Sequence, residues 1–125
     1  MGPANKWYKV GFDNIQEADA AGEKIQILTA PCFLATKFEA FKDRGGDHRM
    51  SHDFEDIIYV LDNRINIVQE ILEGDPQVYA FLKEELRGIL NMSHATEILS
   101  CHIHPLVVEE RFPVLLNKIQ TITES

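Results

Sequence analysis

The chain has 125 residues, 45% of them hydrophobic and 26% charged, which is the size and balance of one soluble globular domain (1–125) rather than two domains or a disordered tail. Its formal net charge of -8, from 20 acids against 12 Lys plus Arg, sets any broad contact with duplex nucleic acid or an anionic membrane against repulsion. No apolar run approaches the roughly 18 residues of a membrane span and no basic leader precedes an apolar stretch, so the expectation is a cytoplasmic protein. Cys32 and Cys101 are far apart in sequence and read as reduced thiols.

In chain order, "KWYKVGF" (6–12) and "EKIQILTA" (23–30) alternate apolar and polar positions, and each predicts a short strand with one face buried. The intervening "DNIQEADAAGE" reads as a helical turn or a long loop, and Pro31 as the close of the second strand. From Cys32 to about Lys42 the spacing of Leu34, Phe38 and Phe41 predicts a helix that the Gly45-Gly46 pair stops. Ser51 is a good N-cap for a helix carrying Phe54, Ile57, Ile58 and Leu61. "INIVQEILEG" is helical to Gly74, and Asp75-Pro76 caps and starts another helix with an apolar stripe of Val78, Phe81, Leu82, Leu86, Ile89 and Leu90. Ser93 is a candidate cap for a helix with Ile98, Leu99 and Ile103, ended by Pro105, and Pro113 breaks or restarts the last helix. The resulting expectation is an α+β fold: a short antiparallel strand pair (6–31), two motif-bearing helices (32–64) and a helical bundle (65–125), about five helices in all.

The candidate site lies in "TKFEAFKDRGGDHRMSHDFEDI" (36–57). At about 100° per residue Lys37 falls on the side of Leu34 and Phe41, so it either lays its methylenes on apolar surface or holds a partly dehydrated ammonium for a phosphate. Asp53 and Asp56 are three apart and share a helix side. Acids in a first turn offset the helix dipole, and the same spacing also suits a Mg2+ ion, a ribose or a partner lysine.

The pattern "FLATKFEAFKDRGGDHRMSHDFEDIIYVLDNR" (33–64), with "NKWY" and "IQILTAPCF" before it, resembles the second half of nucleotidyltransferase-like proteins of the abortive-infection type, in the DNA polymerase beta superfamily. What the resemblance implies is a phosphate contact at Lys37 and a motif acid at Asp53, with Asp56 as support or alternative. Lys42, Asp43, Arg44 and Gly45 match the loop between them, so Lys42, Arg44 and Gly45 become the implied nucleotide-binding positions. The family's upstream Gly-Ser turn and Asp-x-Asp strand, whose carboxylates hold Mg2+, are missing, and Asp13 and Asp19 are too far apart to substitute. The implied function is therefore a nucleotidyltransferase-like domain inactive alone, with Mg2+ and a nucleoside triphosphate bound only if another chain completes the site. The alternatives are a non-catalytic interaction module, or one half of an enzyme completed in trans. The implied partners are a nucleotide, a second copy or a separately encoded N-terminal half, with no membrane and no broad nucleic-acid surface.

Other constellations carry less. Cys101, His102 and His104 are metal-capable, but adjacent residues on a helix face different ways, and no metal site is expected. His48 and His52 read as solvated loop histidines, Cys32 as a buried thiol without a base, and Trp7 and Tyr8 as packing residues.

Overall fold

The computed structural model describes the backbone of residues 15–20 and 23–28 and the whole of residues 29–125. Among the described residues there are six helices: α1 (Ala30–Arg44), α2 (His52–Asn63), α3 (Ile67–Glu73), α4 (Pro76–Leu90), α5 (Ala95–Ser100) and α6 (Val108–Glu124).

The expected α+β class is overturned in favour of an all-helical one. Every described core residue, from Cys32 to Ile122, comes from a helix or from the turn at Ile103, and none comes from a sheet. Ahead of α1 the backbone of Ile15–Ala20 runs antiparallel to Glu23–Leu28, with Ile15 opposite Leu28. A two-stranded ribbon is not a layer that can hold a core. The partner of 23–28 is thus 15–20, which the sequence suggested was a helical turn or a long loop, while the strand expected over 6–12 lies outside the described residues, as do Trp7, Tyr8 and Asp13. The alternation in 23–30 satisfies a period of two locally, but it carries no information about whether helices have anything to pack on it.

Local chemistry explains most helix boundaries. Pro31 sits in the first turn of α1, where its missing N–H leaves no bond unmade, rather than closing a strand. The helix stops at Gly45, whose φ of 68° only glycine adopts freely and whose N–H returns to the Phe41 carbonyl. The Ser51 hydroxyl accepts from the Phe54 N–H at 3.1 Å, and the Asp75 carboxylate accepts from Gln77 N–H at 2.8 Å. Ser93 does not cap α5: its hydroxyl lies 3.3 Å from His94 Nδ1, and His94 occupies the cap position with no side-chain bond to the helix N–H groups. That helix ends at Ser100, so Ile103 is buried from a turn. Pro113 neither breaks nor restarts α6 but lies inside it, leaving the Glu109 carbonyl without its helical donor.

The core follows the expected stripes. Leu34, Phe38 and Phe41 of α1 meet Phe54, Ile57, Ile58 and Leu61 of α2, with Val78, Leu82, Leu86 and Ile89 of α4 and Leu115, Ile119 and Ile122 of α6 completing it. Burying each such side chain is worth roughly 1.5–3 kcal/mol before chain entropy is charged against it. The neighbouring faces of α1 and α2 are left at the edge of that core, and the candidate residues lie there.

Candidate functional site

Lys37 and Arg44 are seven residues apart on α1, two helical turns, so they share a face; Asp53 and Asp56 share the facing side of α2. The Lys37 ammonium lies 2.9 Å from Asp56 and 3.6 Å from Asp53, and the Arg44 guanidinium lies 3.2 Å from the other Asp53 oxygen. Asp53 is thus gripped from both sides with its side chain only 7% exposed, whereas Asp56 is 47% and Arg44 74% exposed. The Lys37 stem rises past Phe33, with Nζ 5.6 Å from the ring centre. The hydrogen bond to Asp56 dominates the upward shift of the Lys37 pKa, burial opposes it, and the charges of Asp56 and Asp53 add to it. The ammonium is therefore held charged by carboxylates already present.

The structure joins Lys37, Asp53, Asp56 and Arg44 but separates the other implied positions. Lys42 leaves from another side of α1, bonds Glu85 of α4 at 3.2 Å and lies 5.5 Å from the centre of the Phe81 ring. Gly45 serves as the helix stop. Two positive and two negative side chains make a neutral quartet, in which each cation faces a carboxylate and each carboxylate a cation. A divalent ion at Asp53 or Asp56 would first meet the ammonium of Lys37, so these residues alone do not fit Mg2+. Among the described residues, no group of three or more His, Cys, Asp or Glu side chains is placed to hold a metal. Cys101 donates to the Ile98 carbonyl, His102 meets the His48 carbonyl and His104 accepts from the Leu106 N–H, so these three are committed in different directions.

A groove of about 340 Å³ lined by Thr96, Ser100, Val108, Glu109, Phe112 and Pro113 lies away from the quartet. So does one of about 230 Å³ lined in part by Thr29, Cys32, Glu73 and Asp75. Cys32 is buried there, and burial chiefly pushes its thiol pKa up, which leaves it a protonated packing group.

Sequence reading missed the other end of α2. Its last turn has no basic residue, and α6 supplies two: Lys118 donates to the carbonyls of Leu61 at 2.8 Å and Asp62 at 3.0 Å, while Arg111 bonds the Asp62 carboxylate at 2.9 Å and its carbonyl at 2.6 Å. The signal in the sequence is a last turn that carries Asp62 and no basic residue, the wrong charge for the negative end of the helix. His48 is not simply a solvated loop residue: it is half-buried, with its ring 4.5 Å from Phe41 and 4.9 Å from Phe54.

Comparison with protein-family models, with curated proteins and with solved structures gives no match to this chain.

Proposed function

We propose that this chain is a non-catalytic helical module that acts through contact with another protein, and that the Lys37 quartet clamps α1 to α2. The observation that carries this reading is the charge balance at Lys37: each cation faces a carboxylate, and Asp53 is too buried to be released without cost. A phosphate competing for the ammonium would have to displace Asp56 and would then face the negative charge of Asp53. The contact surface fits the exposed apolar side chains Tyr59, Ile65 and Leu106, at 68%, 88% and 88% exposure. Tyr59 lies on α2 between Glu55, which approaches His102, and Asp62, which holds Arg111, and Leu106 lies in the segment between those two partners.

The test is a two-dimensional amide NMR titration with ATP, GTP, CTP and UTP at millimolar concentration, with and without Mg2+. No movement of the Lys37, Arg44 and Asp53 signals is expected; saturable shifts centred on them would overturn the reading.

A second reading has its own support in the convergence of Lys37 and Arg44 on the two oxygens of Asp53, since two cations so close are what a Mg-nucleotide carried by another chain would meet. In that case the same signals should move only when an N-terminal half bearing Gly-Ser and Asp-x-Asp is added with the nucleotide.

A further inference from the structure

The segment 45–51 between α1 and α2 is closed over the aromatic end of the core by three ties. The His48 ring sits 4.5 Å from Phe41 and meets Phe54 edge to face at 4.9 Å, with Phe54 fully buried beneath it. The His48 carbonyl lies 2.9 Å from His102 Nε2, which donates to it. Arg49 reaches Glu97 of α5 at 2.7 Å. At the other end of the segment's entry, Gly45 and Gly46 hold φ of 68° and 102°, a pair of residues at which the chain can swing without side-chain clashes.

These ties respond differently to acid. His102 keeps a proton on Nε2 when its other nitrogen is protonated, so its bond to the carbonyl survives. The Arg49 pair persists until carboxylates protonate. The His48 ring is different: it is half-buried, packed on two phenylalanine rings that also touch each other, so an imidazolium there loses part of the hydration it would have in water.

We propose that His48 is an acid-operated latch: its neutral ring seats on the Phe41–Phe54 pair and keeps segment 45–51 shut, and its protonation unseats the ring and lets the segment swing out on Gly45 and Gly46.

The charged and titratable groups around the ring are consistent with this. On its own segment Asp47 is engaged by Arg49 at 3.0 Å, and Arg49 also takes Glu97 from α5. From α2, Glu55 lies 3.8 Å from His102 rather than beside His48, and His94, just before α5, adds like charge if protonated. The α1 side offers only the Phe41 ring. Ring faces attract a cation, and this opposes the latch. Burial is the larger influence and pushes the His48 pKa down, with Asp47 opposing and His94 reinforcing. A folded pKa below the ordinary value of 6.5 means that closure is fully favoured above that pH and weakens as pH falls through the lower folded value.

The experiment follows the His48 imidazole by NMR and measures amide exchange of residues 47–49 against those of Leu61 and Leu82, corrected for intrinsic rates, at about pH 7.5 and 5. His48 should titrate below 6.5, and protection of 47–49 should fall at least about threefold at the lower pH while the helix amides stay constant. His48→Phe, which fills the same site with an uncharged ring, should keep the segment protected at both pH values. Titration at or above 6.5, protection that does not change in the native chain, or an undiminished pH response in His48→Phe would each overturn the proposal. If His48→Phe does not fold, the native titration and exchange decide it alone.

Discussion

Replacing Lys37 by Met keeps most of the stem on Phe33 and removes only the charge, which isolates the clamp from its packing. Three contributions are then lost or exposed. The Lys37–Asp56 pair is short, but Asp56 is 47% exposed, so solvent screening leaves it about 0.2–1 kcal/mol. Asp53 is 7% exposed and loses one of its two cations, keeping only the exposed Arg44; an under-satisfied buried carboxylate costs about 1–3 kcal/mol. The cation above Phe33 adds about 0.5 kcal/mol or less at such a site. The expected loss is about 1–4.5 kcal/mol, which in a chain of this length lowers the Tm by roughly 3–6 °C per kcal/mol. Urea unfolding followed by circular dichroism, with Lys37→Met, Asp53→Asn, Asp56→Asn and the two double variants, separates the pairs. The Lys37–Asp53 coupling should exceed the Lys37–Asp56 coupling, at about 1–2 against about 0.5 kcal/mol. The Lys37 pKa is raised in the folded state, so its contribution is complete below about 10.4 and disappears as pH rises through the folded value; native and Lys37→Met stabilities should converge there. A Lys37→Met chain as stable as the native one at neutral pH, or no coupling to either aspartate, would refute the clamp and return Lys37 to the pool of available phosphate ligands.

Lys118→Met should destabilise the chain by about 1–2 kcal/mol, measured by the same unfolding curves, because the carbonyls of Leu61 and Asp62 lose a shared donor at the end of α2. Cys101 should react with iodoacetamide well before Cys32 in native buffer, and equally with it in urea, since Cys101 is exposed and Cys32 is buried. Gly45→Ala should cost about 1–2 kcal/mol, read as a lower urea midpoint, from its positive φ alone, since a Cβ there meets nothing within 4 Å.

What could be read from the chain was whatever depends on neighbours in sequence. The caps at Ser51 and Asp75 and the apolar stripe of α4 need only a few consecutive residues to be recognised, and the structure has them. Lys37, Asp53 and Asp56 could be singled out from helical spacing and the family resemblance, and a partner lysine was among the options for the two acids, but that Lys37 is that partner is visible only in the fold. What could not be read depends on the third dimension. Nothing within 45–51 says that His48 is covered, because its cover is Phe41, Phe54 and a histidine 54 residues away. The alternation in 23–30 suggested a layer, although a layer is decided by what packs on it and not by period.

The clamp and the latch share one pair of helices, and this ties the two proposals together physically. Arg44, the last residue of α1, holds Asp53, while the next two residues are the left-handed glycines on which the segment turns. Asp53 and Phe54 are adjacent in α2, so the carboxylate that fixes the helix pair and the ring that seats His48 leave neighbouring positions of one backbone. Lys37 and Asp56 lie on the far side of Asp53 from the hinge, so they can keep α1 and α2 together when the segment opens. Weakening the clamp should therefore loosen segment 45–51 at every pH, because it lets the floor under His48 move. Removing His48's titration should leave the clamp couplings unchanged, because none of those charges touches its ring. Amide protection of residues 47–49 in Lys37→Met, against Lys37–Asp53 coupling measured in a His48→Phe background, distinguishes this one-way dependence from two independent features of the same surface.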